Sequence, residues 1–274
     1  MSISCKKMKI YPLLLCHLCD IMEKNKIRKD SFFMREYGIQ LYSVRDAMKE
    51  NMRETLKKIA AMGYTSVEFA GFFDHSAEQV KAMLEETSLT ISGTHSSFAD
   101  LRPSKIMETI AYHKAIGNTD YIVPGADLSS KEKIDDFCNV MNFAQPILAA
   151  EGIRLGYHNH SHEFAILPCG TTVHSIIENK TNVHFEIDTF WAFNAGCDPI
   201  AMMERLKDRI HVIHLKDGFM GGKGIPLGQG EAPVKAVVEY ASKNGIAMVV
   251  ESETLQPSGL AEAEACIEFL KTLS

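Results

Sequence analysis

The second half of the sequence sets imidazole and carboxylate side chains at spacings that suit metal-assisted proton transfer. His158 and His160 stand two residues apart, Glu163 follows them, and Asp188, His214 and Glu251 come later in separate segments. Mixed nitrogen and oxygen donors suit Mn, Zn, Co or Fe, and the absence of cysteine among them argues against a closed structural zinc site. His158, Glu163, Asp188, His214 and Glu251 are therefore the candidate ligands of one divalent ion with an open position. Such an ion acts as a Lewis acid, polarising a ketone or binding two adjacent oxygens of a polyol, while a carboxylate or imidazole moves a proton. His160 is the candidate acid or base. Lys216 can neutralise a developing enolate or bind a hydroxyl, or else pair with Asp217 or Glu253.

The elements that must position these residues repeat one unit, a short β-branched or apolar run followed by a longer stretch of helical periodicity. The eight runs are Tyr37 to Tyr42, Thr65 to Ala70, Leu89 to His95, Asp120 to Pro124, Ile153 to Asn159, Val183 to Asp188, Ile210 to Lys216 and Ala247 to Glu251. Between them lie amphipathic segments such as Asn51 to Met62, where Met52, Leu56, Ile59 and Ala60 share a face. Gly63, Gly117, Gly152 and Gly245 stand where a helix stops just before a strand. Eight alternating units predict an α/β protein, a single-domain (β/α)8 TIM barrel. A doubly wound open sheet is the alternative, disfavoured because no GxGxxG follows the first strand.

Barrel active sites lie at the C-terminal ends of the strands. The last inward positions of the runs are Gln40, Glu68, His95, His158 with His160, Glu186 with Asp188, His214 with Lys216, and Glu251 with Glu253. Members of each pair face the same way because strand side chains alternate. Inward charge there is costly unless paired or metal-bound, and hydrogen bonds that seal the barrel mouth are the structural alternative. His95 is placed to touch substrate as a catalytic residue, and Gln40 and Glu68 are expected to bind substrate on the opposite wall. Trp191, the only tryptophan, forms with Phe190 and Phe193 either a wall for a sugar ring or part of the core. The glycine-rich loop Asp217 to Gly230 is a phosphate cradle or a flexible lid, and it lacks a Walker pattern.

Composition narrows the classes. With 274 residues, 46% hydrophobic and 23% charged, the chain can bury a large core, and a net charge of −6 argues against nucleic acid as a partner. The seven cysteines are odd in number and scattered, which fits a reducing compartment, and Cys16 and Cys19 form a lone CxxC with no second pair. Residues 1–35 read as an N-terminal extension. Lysines precede the apolar run Ile10 to Cys19 as in a secretory signal, but Pro12 and His17 interrupt it and it is too short to span a bilayer. Residues 36–274 then form the barrel. The expectation is a cytoplasmic protein with a small-molecule carbohydrate substrate, no membrane partner and a possible homo-oligomeric state; export through the extension is the alternative.

Five segments carry a family resemblance: Gly38 to Arg45, Tyr157-His158-Asn159-His160 continuing to Glu163-Phe164, Glu186-Ile187-Asp188 followed by Phe190-Trp191, His211 to Asp217, and Val249-Val250-Glu251. Together they resemble the sugar phosphate isomerase/epimerase family of xylose-isomerase-like barrels. The resemblance implies one divalent metal, Mn first with Zn, Co, Mg or Fe as alternatives, held by an acidic residue after strand five, then Asp188, His214 and Glu251. It also implies isomerisation or epimerisation of a keto-sugar through an enediolate. At the strand-five position many members carry Glu before Asn, whereas this chain has His158 before Asn159, so His158 or Glu163 fills that place. The family's epimerases use two opposed glutamates, and one is missing here. That ending is similar instead to the inosose dehydratase branch, so elimination of water or an aglycone from a keto-sugar or keto-inositol is the runner-up. A non-catalytic sugar-binding barrel is the alternative of another class. A DNA-repair nuclease of related fold is disfavoured by ligand count and net charge.

Overall fold

Side chains switch faces at every residue of a strand, so alternation along each run decides what fills a barrel and what covers it. The computed structural model describes residues 35–273; the N-terminal extension, with Cys16, Cys19 and the weakly signal-like run, lies outside the described residues, as does Ser274. The strands β1 (Gly38–Gln40), β2 (Ser66–Phe69), β3 (Thr90–His95), β4 (Asp120–Val123), β5 (Arg154–His158), β6 (His184–Asp188), β7 (Val212–Leu215) and β8 (Ala247–Val250) close into a parallel barrel in chain order. Each lies inside one run read from the sequence. Pairing of Gly38 with Val249 and Ile39 with Val250 closes the ring and excludes the open-sheet alternative.

Outward residues, among them Ile39, Val67, Tyr121, Leu155, Phe185, Ile213 and Val250, pack under the helices in one large core. Inside the barrel the apolar filling is small, a separate cluster of Ile122, Val212 and Val249. Toward the C-terminal strand ends the interior turns polar. One irregularity sets His95 there: Val67 pairs with Ile91 but Glu68 pairs with Gly93, so β3 carries an extra residue at Ser92. Without that bulge His95 would share the outward face of Ile91; the bulge re-aims it into the barrel. A Cβ at Gly93 would stand 2.9 Å from both Glu68 Oε1 and Ile122 Cδ1, so any larger residue must push those side-chain ends aside.

The helices are α1 (Arg45–Met62), α2 (Ala77–Thr87), α3 (Ile106–Ile116), α4 (Lys131–Ala150), α5 (Val173–Lys180), α6 (Thr189–Asn194), α7 (Pro199–Arg205), α8 (Val234–Asn244) and α9 (Gly259–Lys271). Asn51 interrupts α1 with φ −159° and ψ 97°, and its Oδ1 accepts from Glu54 N at 3.1 Å, so a new helical segment starts where periodicity placed it. Gly63, Gly117 and Gly245 are left-handed caps of α1, α3 and α8, and Gly152, with φ 78°, follows α4. Among the described residues no helix is long and apolar enough to cross a membrane.

Candidate metal and active site

Two tiers of polar side chains fill the C-terminal mouth of the barrel. The deeper tier is a hydrogen-bonded chain. Gln40 Nε2 donates to Glu68 Oε2 at 2.7 Å, the same oxygen lies 2.6 Å from His214 Nε2, and His95 Nε2 lies 2.6 Å from Glu186 Oε2. Burial and the neighbouring charge of Glu186 push the Glu68 carboxyl up to about 7. Burial also works against a charged Glu186, but His214 and His95 outweigh it and hold that carboxyl well below its ordinary value. His214 shows the converse: burial opposes its charge, Glu186 and Glu68 overcome this, and its imidazole is held well above the usual range.

The upper tier joins His158, Asp188, His214, Lys216 and Glu251. One ligand atom from each of His158, Asp188, His214 and Glu251 lies within 4.8 Å of the others. All four are buried. Lys216 Nζ donates to Glu251 Oε2 at 2.9 Å and to Glu253 Oε1 at 2.6 Å, and lies 3.4 Å from Asp188 Oδ2. Burial opposes charge on Asp188 and Glu251, but Lys216 above all keeps both carboxyls below their usual values. Burial drives His158 the other way, down to about 4 against the pull of Asp188, so its imidazole is neutral at pH 7. A neutral imidazole between ionised carboxylates is the protonation state a metal ligand needs.

Whether a metal fits can be judged from atoms left without partners. Both ring nitrogens of His158 and Oδ2 of Asp188 are buried with no hydrogen bond, Oδ2 having only the looser ion-pair contacts to His158 Nε2 at 3.5 Å and Lys216 Nζ at 3.4 Å. Buried polar atoms are nearly always satisfied, so this concentration of exceptions at one point calls for an occupant. His214 turns Nδ1 toward Glu251 at 3.2 Å and Nε2 toward Glu68. Binding through Nδ1 would leave Nε2–H as donor to Glu68, the carboxylate–imidazole arrangement that fixes the tautomer of a ligating histidine. Charge agrees: five carboxylates, Glu68, Glu186, Asp188, Glu251 and Glu253, meet one lysine. Of the four charges left, protons on His95, His214 and Glu68 offset three, and a divalent cation would offset two. A second group of possible donors, His95, His158, Glu186 and His214, overlaps the first. It is the deeper tier, already largely bonded within itself, and the upper four residues fit the ion better.

Two placements differ from expectation and two open alternatives are narrowed. Glu163 does not join the four: it is buried on the loop after β5, where its Oε1 accepts from Tyr157 OH at 2.6 Å and its Oε2 from His160 N at 2.9 Å. Burial opposes its charge, but these hydrogen bonds and nearby histidines bring its carboxyl down to about 2. These bonds hold the loop, and the possible ligands beside Glu163 are His160 and His162, not the upper four. Gln40 and Glu68 are fully buried beneath the cavity floor, so they brace His214 rather than touch substrate. Of the two partners expected for Lys216, Glu253 is the one it meets, joined by Glu251. Finally, the glycine loop has no free cradle. Asp217 itself fills it, with Oδ1 accepting from Gly218 N and Ala232 N and Oδ2 from Gly228 N and Gly230 N, at 2.8 to 3.1 Å.

His160 is the candidate proton carrier that meets the cavity, its side chain 36% exposed while its Nδ1 has no hydrogen-bond partner. The cavity above the site, of about 590 Å³, is lined by His95, His158, His160, Glu251 and Glu253 as well as Tyr42. Trp191 lies beside it, with Lys216 Nζ 4.8 Å from its ring and the His160 ring 6.1 Å away. Asp188 is aimed by its neighbours: its Oδ1 accepts from Trp191 N at 2.8 Å, and Asn159 exchanges hydrogen bonds with its backbone. Sequence reasoning gave no role to Glu186, Tyr157 or Asn159. Alternation marked Glu186 as inward, but no local signal shows that Tyr157, an outward strand residue, reaches Glu163.

The xylose isomerase-like TIM barrel profile matches residues 56–273, and the chain belongs to that family. No curated protein matches the sequence. Among solved structures it is similar to a sugar phosphate isomerase/epimerase from Parabacteroides distasonis, with 25% identity over 86% of this chain and 97% of that one, at a TM-score of 0.73. It is also similar to a D-allulose 3-epimerase from Methylomonas sp., with 13% identity over 87% of this chain and 98% of that one, at a TM-score of 0.64. The third is the probable 3-DHS dehydratase of Bacillus anthracis, with 11% identity over 86% of this chain and 99% of that one, at a TM-score of 0.68. The last two likenesses show the fold alone.

Proposed function

We propose that the protein is a divalent-metal-dependent sugar isomerase or epimerase that removes and returns a proton at the carbon beside a ketone. The observation that carries this reading is the convergence of buried ligand atoms that make no hydrogen bond, on His158 and Asp188, with His214 and Glu251 below a polar cavity. These four residues would hold the ion, Mn being the first choice. When bound, it supplies Lewis-acid polarisation of the substrate carbonyl and hydroxyl oxygens. The chain does the rest. His160 takes the proton from the cavity side, Lys216 offsets negative charge growing on the substrate oxygen, and Trp191 bounds the ring. His95 touches the substrate from the cavity wall while Glu186 fixes its ring.

One observation favours a second reading. Glu163 is bonded at both oxygens and fully buried, so it does not swing in as the missing second carboxylate. With His160 as the one base, elimination of water or an aglycone needs no second base, whereas two-base epimerisation does. Metal content and turnover of the variants test the shared core of both. Asp188→Ala and Glu251→Ala are expected to lose metal and activity together. His160→Ala is expected to keep the metal and lose activity by ~10²–10⁴. A His160→Ala protein that loses metal while His158→Ala keeps it would reverse the two assignments.

A further inference from the structure

The cavity over the metal donors does not end at the barrel axis. A second cavity of about 610 Å³ adjoins it and shares Gly71, His95, Ser96 and Ser97 as a common wall. Each volume falls within the ~300–1,000 Å³ that holds a drug-sized ligand, so together they exceed what one hexose fills. The far cavity is lined by Phe72, Phe73 and Tyr112 and by Asp74 and Asp100, the last paired with Lys105 at 3.2 Å. Aromatic faces with carboxylate acceptors beside them match the apolar face and hydroxyl donors of a sugar ring.

The loop that carries this wall is held in an unfavourable conformation. Phe73 and Asp74 are consecutive non-glycine residues in the left-handed region, with φ of 50° and 61°. Such backbone persists where surrounding structure fixes it and clusters at ligand sites. Here Tyr112 OH donates to His75 O at 2.9 Å and ties the loop to α3. Phe73 is 41% exposed and lines this cavity.

We infer that the substrate is a glycoside rather than a free monosaccharide, with its reacting ring over His158 and Asp188 and its second ring between Phe73, Tyr112 and Asp74. This rests on the catalytic reading above for the identity of the reacting ring, but the second subsite stands on its own geometry. NMR titration of the full chain with cellobiose and with glucose tests it without any turnover. Cellobiose is expected to bind ~10-fold more tightly than glucose, the scale of one added ring contact. Phe73→Ala should bring that ratio to about one with glucose affinity unchanged, and Phe73→Tyr should retain the ratio. Equal affinities in the native chain, no binding of either sugar, or a Phe73→Ala loss that falls alike on both would overturn the subsite. Turnover of 3-keto-cellobiose against 3-keto-glucose then addresses the chemistry. A cellobiose preference without turnover of either keto-sugar would leave the subsite standing and remove the catalytic reading.

Discussion

Replacing Asp217 with alanine tests the claim that this carboxylate, and not a bound anion, organises the loop beside Lys216. Asp217 is 2% exposed and accepts four backbone N–H bonds from residues 218, 228, 230 and 232. Hydrogen bonds to a charged acceptor contribute ~1.5–3 kcal/mol each, but the four share one carboxylate and water can reach some of the freed amides. A total of about 3–5 kcal/mol is therefore expected, the range for breaking a buried charged network. At roughly 3 °C per kcal/mol for a domain of this size, Tm should fall by about 9–15 °C. Asp217→Asn keeps one oxygen but turns an NH2 group against two amide donors, so it should recover little of the loss. The same loop lies against Lys216, because a Cβ at Gly224 would collide with the lysine Cε and Gly224 O accepts from Glu253 N at 3.2 Å. Activity should fall along with stability. Differential scanning calorimetry of wild type and both variants is the assay, and an Asp217→Ala protein melting within 2 °C of wild type (roughly 1 kcal/mol or less) would refute the reasoning.

Gly93→Ala places a methyl against Glu68 and Ile122, and overpacking of that kind should cost about 1–3 kcal/mol by urea denaturation while weakening metal binding through Glu68 and His214. Acidification should destabilise the fold at His113 and His174, whose imidazoles burial pushes down to about 4. Because the unfolded chain binds these protons near pH 6.5, the stability they carry is complete above that pH and is lost as pH falls toward 4, about 2 kcal/mol per imidazole by pH 5. His174, stacked between Phe164 and Phe185, supplies the control. His174→Phe should flatten the stability profile between pH 7 and pH 5 by its share, and an unchanged slope would show that this imidazole titrates normally.

The barrel was legible because its repeating unit is. Short β-branched or apolar runs placed every strand, and glycines at positive φ marked the helix ends that precede β2, β4, β5 and β8. His158, Asp188, His214 and Glu251 could be read as a set because each lies at the end of a different strand. What the sequence did not show arises from contacts between distant segments. Glu163 follows two histidines and reads as a ligand, yet Tyr157 OH and His160 N claim both its oxygens. Gln40 and Glu68 were placed on the correct end of the barrel but one tier too high, since depth along an axis depends on strand stagger rather than on local pattern. The bulge at Ser92 is invisible to alternation, and Asp217 serving as the anion of its own loop needs the fold of residues 217–232.

The central claim is metal-assisted removal of a proton beside a sugar ketone, and mass spectrometry in deuterated water tests it most directly. Keto-hexoses, keto-inositols and 3-keto-glycosides would be incubated with the Mn-loaded protein and, in parallel, with Asp188→Ala. The account predicts product of unchanged mass except for deuterium at the carbon beside the carbonyl, absent with Asp188→Ala. Loss of water or an aglycone without isomerised product would replace isomerisation by elimination. Substrates recovered with neither deuterium nor loss of mass, from protein carrying stoichiometric metal, would contradict the account.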